Sequence, residues 1–365
     1  MIIPISSRMG INASFSSAFN VPTAIATITI SFPRHAARAI FSLSSTGQGN
    51  EEFWWSNFIQ SDILTFGPGA NAFGYSPFRK VQVLIDGQIA DVQWPFPIIF
   101  TGGVAPGLWS PVVEIDAFDF EEYEIDITPW LPRLRDGNMH AFSIKVVGLE
   151  DNGKNWTILS EITGSSWRTL TISSAVKTQS ESQSITWTQS LSHTDQGQFL
   201  YFGNAQINQI STSGTDTPTG LVSYSNKYSY PLFANTTATN TPDGNVRFLD
   251  NIRRSKNIII TGTSVFPSPL EAFATYTKSS ALVLGAVDSA LTTTKNGTAT
   301  LFQSPSQGVS TSFGTTSQEM RLGVVSRDGA MGMQPDTELY YRSIAAVNGT
   351  VENDVQSLVG EHFET

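Results

Sequence analysis

Short runs of alternating apolar and polar residues, each closed by a turn signal, constrain this chain more than any other feature. Lys80-Val81-Gln82-Val83-Leu84-Ile85 alternates, meets Asp86-Gly87 and returns through Ile89-Ala90-Asp91-Val92. A period of two places successive side chains on opposite faces of a strand, and Asp-Gly is a strong signal for a two-residue hairpin turn. The pattern predicts a β-hairpin over these residues.

Strand-like runs recur along the whole chain. In the first part they are Thr23 to Ile30, Ala37 to Ser45, Pro111 to Asp116, Tyr123 to Thr128 and Ala141 to Val147. In the second part they are Trp156 to Ile162, Leu170 to Ile172, Ser184 to Thr188, Leu200 to Ile210, Lys256 to Thr263, Ala281 to Val287, Leu322 to Val325 and Leu339 to Val347. Only 14% of residues are charged, and no long run has an apolar period of three to four. These features predict an all-β chain.

The 365 residues are long for one domain and comfortable for two. After about Gly153 Ser and Thr dominate and Trp becomes sparse. We therefore expect two β-rich bodies, 1–150 and 151–365, the second with short strands and polar loops. Its most linker-like pieces are Thr212 to Thr219 and Asn235 to Gly244.

The segment Trp94 to Gly103 is apolar but carries prolines at positions 95 and 97. Proline cannot donate to a strand ladder, so the segment is not a central strand. Either it covers a sheet edge or lines a cleft, or it is a buried crossover between sheets. The acidic residues that alternate nearby, such as Glu114, Asp116 and Glu124, are expected on a solvated sheet face and are discounted as catalysts.

Charge and composition exclude several function classes. The net charge is −10 and basic residues are scattered, so nucleic acid is not an expected partner. The chain has no cysteine and its four histidines are dispersed, so neither a metal nor another cofactor is predicted. No apolar run reaches the ~20 residues that span a bilayer, so no membrane partner is expected.

The start of the chain, Met1 to Gly10, lacks the basic-then-apolar order of a signal peptide. The sequons at Asn12, Asn155, Asn235, Asn296 and Asn348 are candidate glycosylation sites. A chain this rich in Asn, Ser and Thr produces sequons by chance, so they give weak support for secretion.

Chemistry is most plausible at Gly49-Asn50-Glu51-Glu52-Phe53-Trp54-Trp55-Ser56-Asn57, which follows a strand candidate and small polar residues. Carboxylates move protons, and indole faces stack on sugar rings. The chain has no Gly-x-Ser-x-Gly elbow and no cysteine nucleophile, so acid–base chemistry remains. Glu52 is the leading catalytic candidate and Glu51 its competitor. The alternative is that the two Trp fill a core and the two Glu are solvated.

Several ordered blocks resemble the peptide-N-glycosidase A (glycoamidase A) family. They are Ser31-Phe32-Pro33-Arg34, the loop from Gly49 to Asn57, Phe78-Arg79-Lys80-Val81, Ile85-Asp86-Gly87, Trp94 to Gly103, Leu108 to Val113, Tyr123 to Pro129 with Asp136-Gly137, and Tyr340 to Thr350. The resemblance is dense from about Phe32 to Gly148 and thinner through the second body. A cysteine expected before the last block is absent, with Leu339 in its place.

The resemblance implies a secreted or vacuolar, metal-independent amidase. Such an enzyme cleaves the bond between an asparagine side chain and the first N-acetylglucosamine of an N-glycan, leaving aspartate and releasing a glycosylamine. It also implies a jelly-roll-like β-sandwich followed by a second β-rich domain. Glu52, then Glu51, would be catalytic. The candidate substrate-binding residues are Trp54, Trp55, Asn57, Arg34, Arg79, Asp86 and Trp109, with Arg34, Arg79 or an indole N–H as oxyanion donor and Asp86 more in keeping with a turn.

The partner implied is an N-glycosylated peptide or protein. Family members are expected to have another sandwich upstream, so a separate chain or an N-terminal module is expected to complete the cleft. Two alternatives stay open. One is a non-catalytic carbohydrate-binding or adhesion protein of secreted origin, and the other is a purely structural β-protein.

Overall fold

The computed structural model describes residues 1–7, 17–57, 73–74, 77–100, 104–117, 122–148, 161–177, 181–200, 205–220, 223–262, 288–325, 335–358 and 361–364. The all-β prediction is confirmed. The strands are β1 (Thr27–Ser31), β2 (Ile40–Leu43), β3 (Lys80–Ile85), β4 (Gln88–Gln93), β5 (Tyr123–Asp126), β6 (Met139–Val147), β7 (Glu161–Lys177), β8 (Ser182–Leu200), β9 (Ala205–Thr219), β10 (Tyr224–Asn240), β11 (Val246–Gly262), β12 (Ser289–Ser304), β13 (Val309–Val324), β14 (Thr337–Val347), β15 (Thr350–Leu358) and β16 (Glu361–Glu364). One short helix, α1, spans Leu131–Leu134.

The first part of the chain packs two small sheets against each other. One sheet has the strand order β1-β6-β3-β4, and the other pairs β2 with β5. Phe41 of the second sheet stacks on Phe142 of the first, with ring centroids 6.2 Å apart, in a core that also holds Val83 and Ile125. The predicted hairpin is confirmed, because β3 and β4 pair directly. Jelly rolls have eight strands and the described residues up to 148 contain six, so jelly-roll topology stays a prediction.

The second part forms one ten-stranded antiparallel sheet in which each strand pairs with its sequence neighbours. The strand candidates predicted here, such as Leu170 to Ile172, are much shorter than the strands found. Strands β7 to β13 have 15 to 19 residues. The supposed linker Thr212 to Thr219 lies within β9, and Asn235 to Asn240 form the end of β10. β-Branched Thr favours extended backbone. The buried face of these strands carries polar residues, so no alternation of apolar and polar residues marks them.

One face of this sheet, here called the inner face, is covered by the first part of the chain. Trp94 and Phe96 pack on Tyr228 and Tyr230, whereas Leu108 packs with Ile252. No strand forms between residues 94 and 100, where Trp94, Phe96, Ile98 and Ile99 are buried. Of the two alternatives for this segment, the buried crossover is the one found.

The strand predicted at Pro111 to Asp116 is wrong. These residues form turns, and Asp116 has a φ of 60°. The apolar residues of this segment pack on the inner face without forming a strand. Ile115, for example, is buried there with Ile258 and Ile260.

The predicted boundary near residue 150 falls in 149–160, outside the described residues. β6 ends at Val147 and β7 begins at Glu161. Two hydrophobic cores combine side chains from both sides of that boundary, so the two parts share an interface. No helix in the described ranges has the length and apolar character needed to cross a membrane.

Candidate functional site

The loop that precedes Asn57 is held in one conformation by its own backbone. Two 3-10 turns, Gly49–Glu51 and Trp54–Ser56, follow each other. Gly49 has a φ of 59°, a region that favours glycine. A Cβ on Gly47 would clash with the carbonyl oxygen of Glu51 and lie 2.8 Å from the indole of Trp54. The glycines at 47 and 49 therefore allow the tight turn that presents the two carboxylates.

Glu51 is fixed by an arginine that is distant in sequence. The Arg79 guanidinium donates from Nε to Oε2 at 2.5 Å and from Nη2 to Oε1 at 2.9 Å. Arg79 also donates from Nη1 to the carbonyl oxygen of Phe78 at 2.7 Å. The Arg79 side chain is 9% exposed and that of Glu51 is 47% exposed. A bidentate pair of this kind restricts the carboxylate strongly, so Glu51 anchors the loop to the start of β3.

Glu52 differs from its neighbour. It is half-buried, and in the parts of the chain that the structure describes its carboxylate makes no hydrogen bond or ion pair. Its backbone N–H donates to the carbonyl oxygen of Gly49, which closes the first 3-10 turn. Of the two carboxylates on the loop, Glu52 is therefore the one without a partner in the described ranges.

The indoles predicted to line a sugar site lie in the core. Trp54, Trp55 and Trp109 are 6%, 1% and 0% exposed, within a cluster that includes Ile210 and Ile252. Gly297 on β12 lies against Trp109, and a Cβ there would lie 2.5 Å from the nearest ring atom. The position of these rings agrees with the alternative that Trp54 and Trp55 fill a core. Their substrate-binding role stays a prediction. Asn57 is also buried, at 4% exposed.

Arg34 and Asp86 lie away from the loop. β3 begins beside Arg79 and ends at Ile85, so Asp86 follows the far end, about 17 Å along the strand. Arg34 donates to the carbonyl oxygen of Asp136 at that same far end. Neither residue is brought together with Glu52, and Arg79 is engaged by Glu51. The third candidate, an indole N–H, stays a prediction; the Trp55 Nε1 is buried without a hydrogen-bond partner among the described residues.

Asp86 belongs to a polar network at the hairpin turn. Its carboxylate accepts from Arg133 Nε at 2.7 Å and from the amide of Ala141 at 2.9 Å, and it contacts His140 Nδ1 at 2.9 Å. His140 Nε2 lies 3.0 Å from Asp136. Burial alone would raise the pKa of Asp86, but hydrogen bonds from His140, Ala141 and Arg133 outweigh it and lower the pKa to about 2. This network supports the reading of Asp86 as a turn residue.

Sequence reasoning missed a buried ionic cluster under the crossover segment. Glu114 Oε1 lies 3.1 Å from Arg254 Nε, and Asp116 Oδ2 lies 2.7 Å from Lys256 Nζ. Lys295 donates to the carbonyl oxygens of Val112 and Val113. Burial raises the pKa of Glu114 although Arg254 and Lys295 oppose it, and burial lowers the pKa of Lys295 to about 8. The expectation that Glu114 and Asp116 lie on a solvated face was wrong, because the segment folds onto the sheet instead of forming a strand.

A second missed group consists of buried carboxyl groups between the two parts. Asp91 accepts from Gln93 Nε2 at 2.6 Å and from Gln189 Nε2 at 2.7 Å. Burial raises the pKa of Asp91 to about 7, and burial together with the nearby Asp91 charge raises that of Asp216. Asp195 is a third, with burial raising its pKa to about 7. Asp91 stands in an alternating strand, and the burial of β4 on both faces cannot be read from that pattern.

The glycosylation candidates differ in placement. Asn348 is exposed in the turn between β14 and β15, whereas Asn235 and Asn296 are half-buried within strands. Asn12 and Asn155 lie outside the described residues. In the described part of the chain no group of three or more His, Asp or Glu side chains could hold a metal ion.

Comparison with known proteins identifies the family. The family model for peptide N-acetyl-beta-D-glucosaminyl asparaginase amidase A matches residues 1–196, and the model for the PNGase_A C-terminal domain matches residues 161–232. A Prunus dulcis protein, "Peptide-N4-(N-acetyl-beta-glucosaminyl)asparagine amidase A", is 36% identical over 148 residues, which are 40% of this chain and 25% of the relative. No solved structure matches. The first family model alone covers more than half of the chain, so the protein belongs to the peptide N-acetyl-beta-D-glucosaminyl asparaginase amidase A family.

Proposed function

We propose that this protein takes part in the hydrolysis of the bond between an asparagine side chain and N-acetylglucosamine in N-glycoproteins or glycopeptides. The carrying observation is the half-buried Glu52 carboxylate, which has no partner among the described residues, on a loop that Glu51 and Arg79 hold in place. Family membership supplies the reaction class. The aligned segment covers a quarter of the length of the Prunus dulcis relative.

In the proposed reaction Glu52 moves the proton. A water oxygen adds to the amide carbon of the glycosylated asparagine while Glu52 accepts a proton from that water. The C–N bond then breaks, and the nitrogen leaves as a glycosylamine with the proton that Glu52 returns. The peptide keeps an aspartate side chain. Arg79 acts through Glu51 and is a positioning residue.

The test uses a glycopeptide substrate and mass spectrometry, which detects the conversion of Asn to Asp together with the released glycan. Glu52→Gln keeps the size of the side chain and removes its basicity, so turnover should fall at least about a hundredfold. Glu122→Gln, at an exposed position before β5, is the matched control and should leave the rate unchanged. A rate for Glu52→Gln within about twofold of the wild-type rate contradicts the assignment.

Retention of glycan without any turnover would instead favour the non-catalytic carbohydrate-binding alternative. The substrate, an N-glycosylated peptide or protein, is part of the proposal. So is the contribution of a separate chain or further module to the cleft.

A secreted or vacuolar location is also part of the proposal. Its support is the exposed Asn348 sequon, a candidate glycosylation site.

A further inference from the structure

The outer face of the ten-stranded sheet, opposite the inner face, carries two adjoining depressions. Asn251, Arg253 and Asn296 line both of them. The depressions are continuous along one row of directly paired residues that crosses β8 to β13. That row consists of Gln196, Gln209, Phe233, Arg253, Asn296 and Ser317. Five strand spacings make the row about 24 Å long.

An exposed indole lies at the β8 edge of the depressions, near Thr194 and four residues along the strand from the row position Gln196. Trp167 on β7 is 82% exposed and pairs with Ser192 on β8, which places both on the outer face. Thr194, two residues further along β8, lines the depression. Diagonal neighbours on a sheet face are about 7–8 Å apart, which is within reach of an aromatic side chain.

The lining chemistry selects the ligand class. The lining combines amide and hydroxyl groups with apolar side chains such as Phe233 and Val347, and the apolar share is the larger one. Among the described residues that line it, Arg253 is the one charged side chain apart from Arg254, which is buried on the inner face. A polyanion would need several cations, and a membrane surface would need a contiguous apolar patch. Neutral oligosaccharides offer hydroxyl groups for the amides and C–H faces for an indole.

We propose that the row from Gln196 to Ser317, with Trp167 at its β7 side, binds a neutral oligosaccharide chain supplied in trans. The site is separate from the Glu52 loop, because that loop and Trp54 lie on the inner face. In the context of the proposed amidase it would hold a distal part of a glycan, or a second glycan of the same glycoprotein. Binding there does not require turnover.

The test measures binding of a peptide-free high-mannose oligosaccharide to protein produced without N-glycans, which keeps the Asn296 sequon unmodified. Calorimetric titration gives the affinity, and tryptophan fluorescence reports on the exposed indole. Trp167→Ala should weaken binding about tenfold or more, and Trp167→Tyr should retain most of it. Arg253→Gln should weaken binding less than Trp167→Ala. Met139→Ala, at an exposed position on β6, is the control and should leave binding unchanged.

Two variants separate this inference from the proposed amidase activity. Glu52→Gln should abolish turnover and leave oligosaccharide binding intact. Trp167→Ala should weaken oligosaccharide binding and leave the turnover of a short glycopeptide intact. Absence of binding by the wild-type protein, or equal binding by Trp167→Ala, overturns the inference. A Trp167-dependent dimer in sedimentation without oligosaccharide binding also overturns it and assigns the face to a second copy.

Discussion

Glu51 and Glu52 are adjacent in sequence, yet their side chains have different surroundings. Both carboxylate oxygens of Glu51 accept hydrogen bonds from Arg79, whereas the Glu52 carboxylate has no partner among the described residues. The contacts therefore distinguish a carboxylate that anchors the loop from one without a partner in the described ranges, which residue type alone leaves open.

This separation predicts different effects on stability. Glu51→Gln removes a charged partner from the largely buried Arg79 and should lower the free energy of unfolding by about 1–2 kcal/mol. Glu52→Gln should change it by less than about 0.5 kcal/mol, as expected at a position without such partners. Urea unfolding of both variants measures the difference. Equal losses in the two variants would contradict the anchoring role of Glu51.

At the scale of elements, the loop depends on a glycine that no strand or turn pattern marks. Gly47→Ala places a methyl group against the Glu51 carbonyl and the Trp54 indole. We expect a loss of about 1–3 kcal/mol in stability and reduced glycopeptide turnover, because the whole loop must shift. Gly49→Asn is the matched control, since Asn tolerates a positive φ and nothing lies within 4 Å of that position. Turnover by Gly47→Ala at the wild-type rate would show that loop position is unimportant.

Element prediction succeeded where one face of a strand is apolar and the turn has its own signal. Lys80 to Ile85 was predicted with the observed bounds, because its apolar residues and the turn at Asp86 agree. Prediction failed for Thr212 to Thr219, because inward-facing Thr212 and Asp216 are buried polar residues. A strand whose buried face is polar has no hydrophobic periodicity, so a prediction based on that periodicity assigns it to a loop.

The site was predictable only in part for a related reason. Glu51 and Glu52 stand out in the sequence as neighbours of two indoles. Their division of roles depends on Arg79, 28 residues away from Glu51, and on long-range packing of Trp54. Side-chain pairs across that distance leave no local pattern.

At the scale of the whole molecule, buried carboxyl groups set the pH dependence of stability. Burial raises the pKa of Asp91 and Asp195 to about 7 and that of Asp250 to about 6. The folded state binds these protons and the unfolded state releases them near pH 4. Their contribution is complete below about pH 4 and is lost as the pH rises towards 7. His140, whose pKa Asp86 and Asp136 raise despite burial, adds stability on the same acidic side.

Stability should therefore fall between pH 5 and pH 7, and Asp195→Asn should flatten that fall. One proton difference corresponds to about 1.4 kcal/mol per pH unit, so the variant's slope should be smaller by about that amount. Urea unfolding at a series of pH values measures both slopes. A wild-type stability that rises from pH 5 to pH 7 would contradict the assigned protonation of these groups.

The ten-stranded sheet pairs only strands that are neighbours in sequence, but its inner face is covered by residues made much earlier. Trp109 packs in the same cluster as Leu301. At ordinary rates of translation a ribosome needs about 10–40 s to extend the chain from one to the other. The cover is therefore completed in stages, because Trp94 and Phe96 pack on residues no later than Ile260, whereas the Trp109 cluster also needs Ala299 and Leu301. Slow translation of the second half would lengthen the time during which Trp109 lacks these partners.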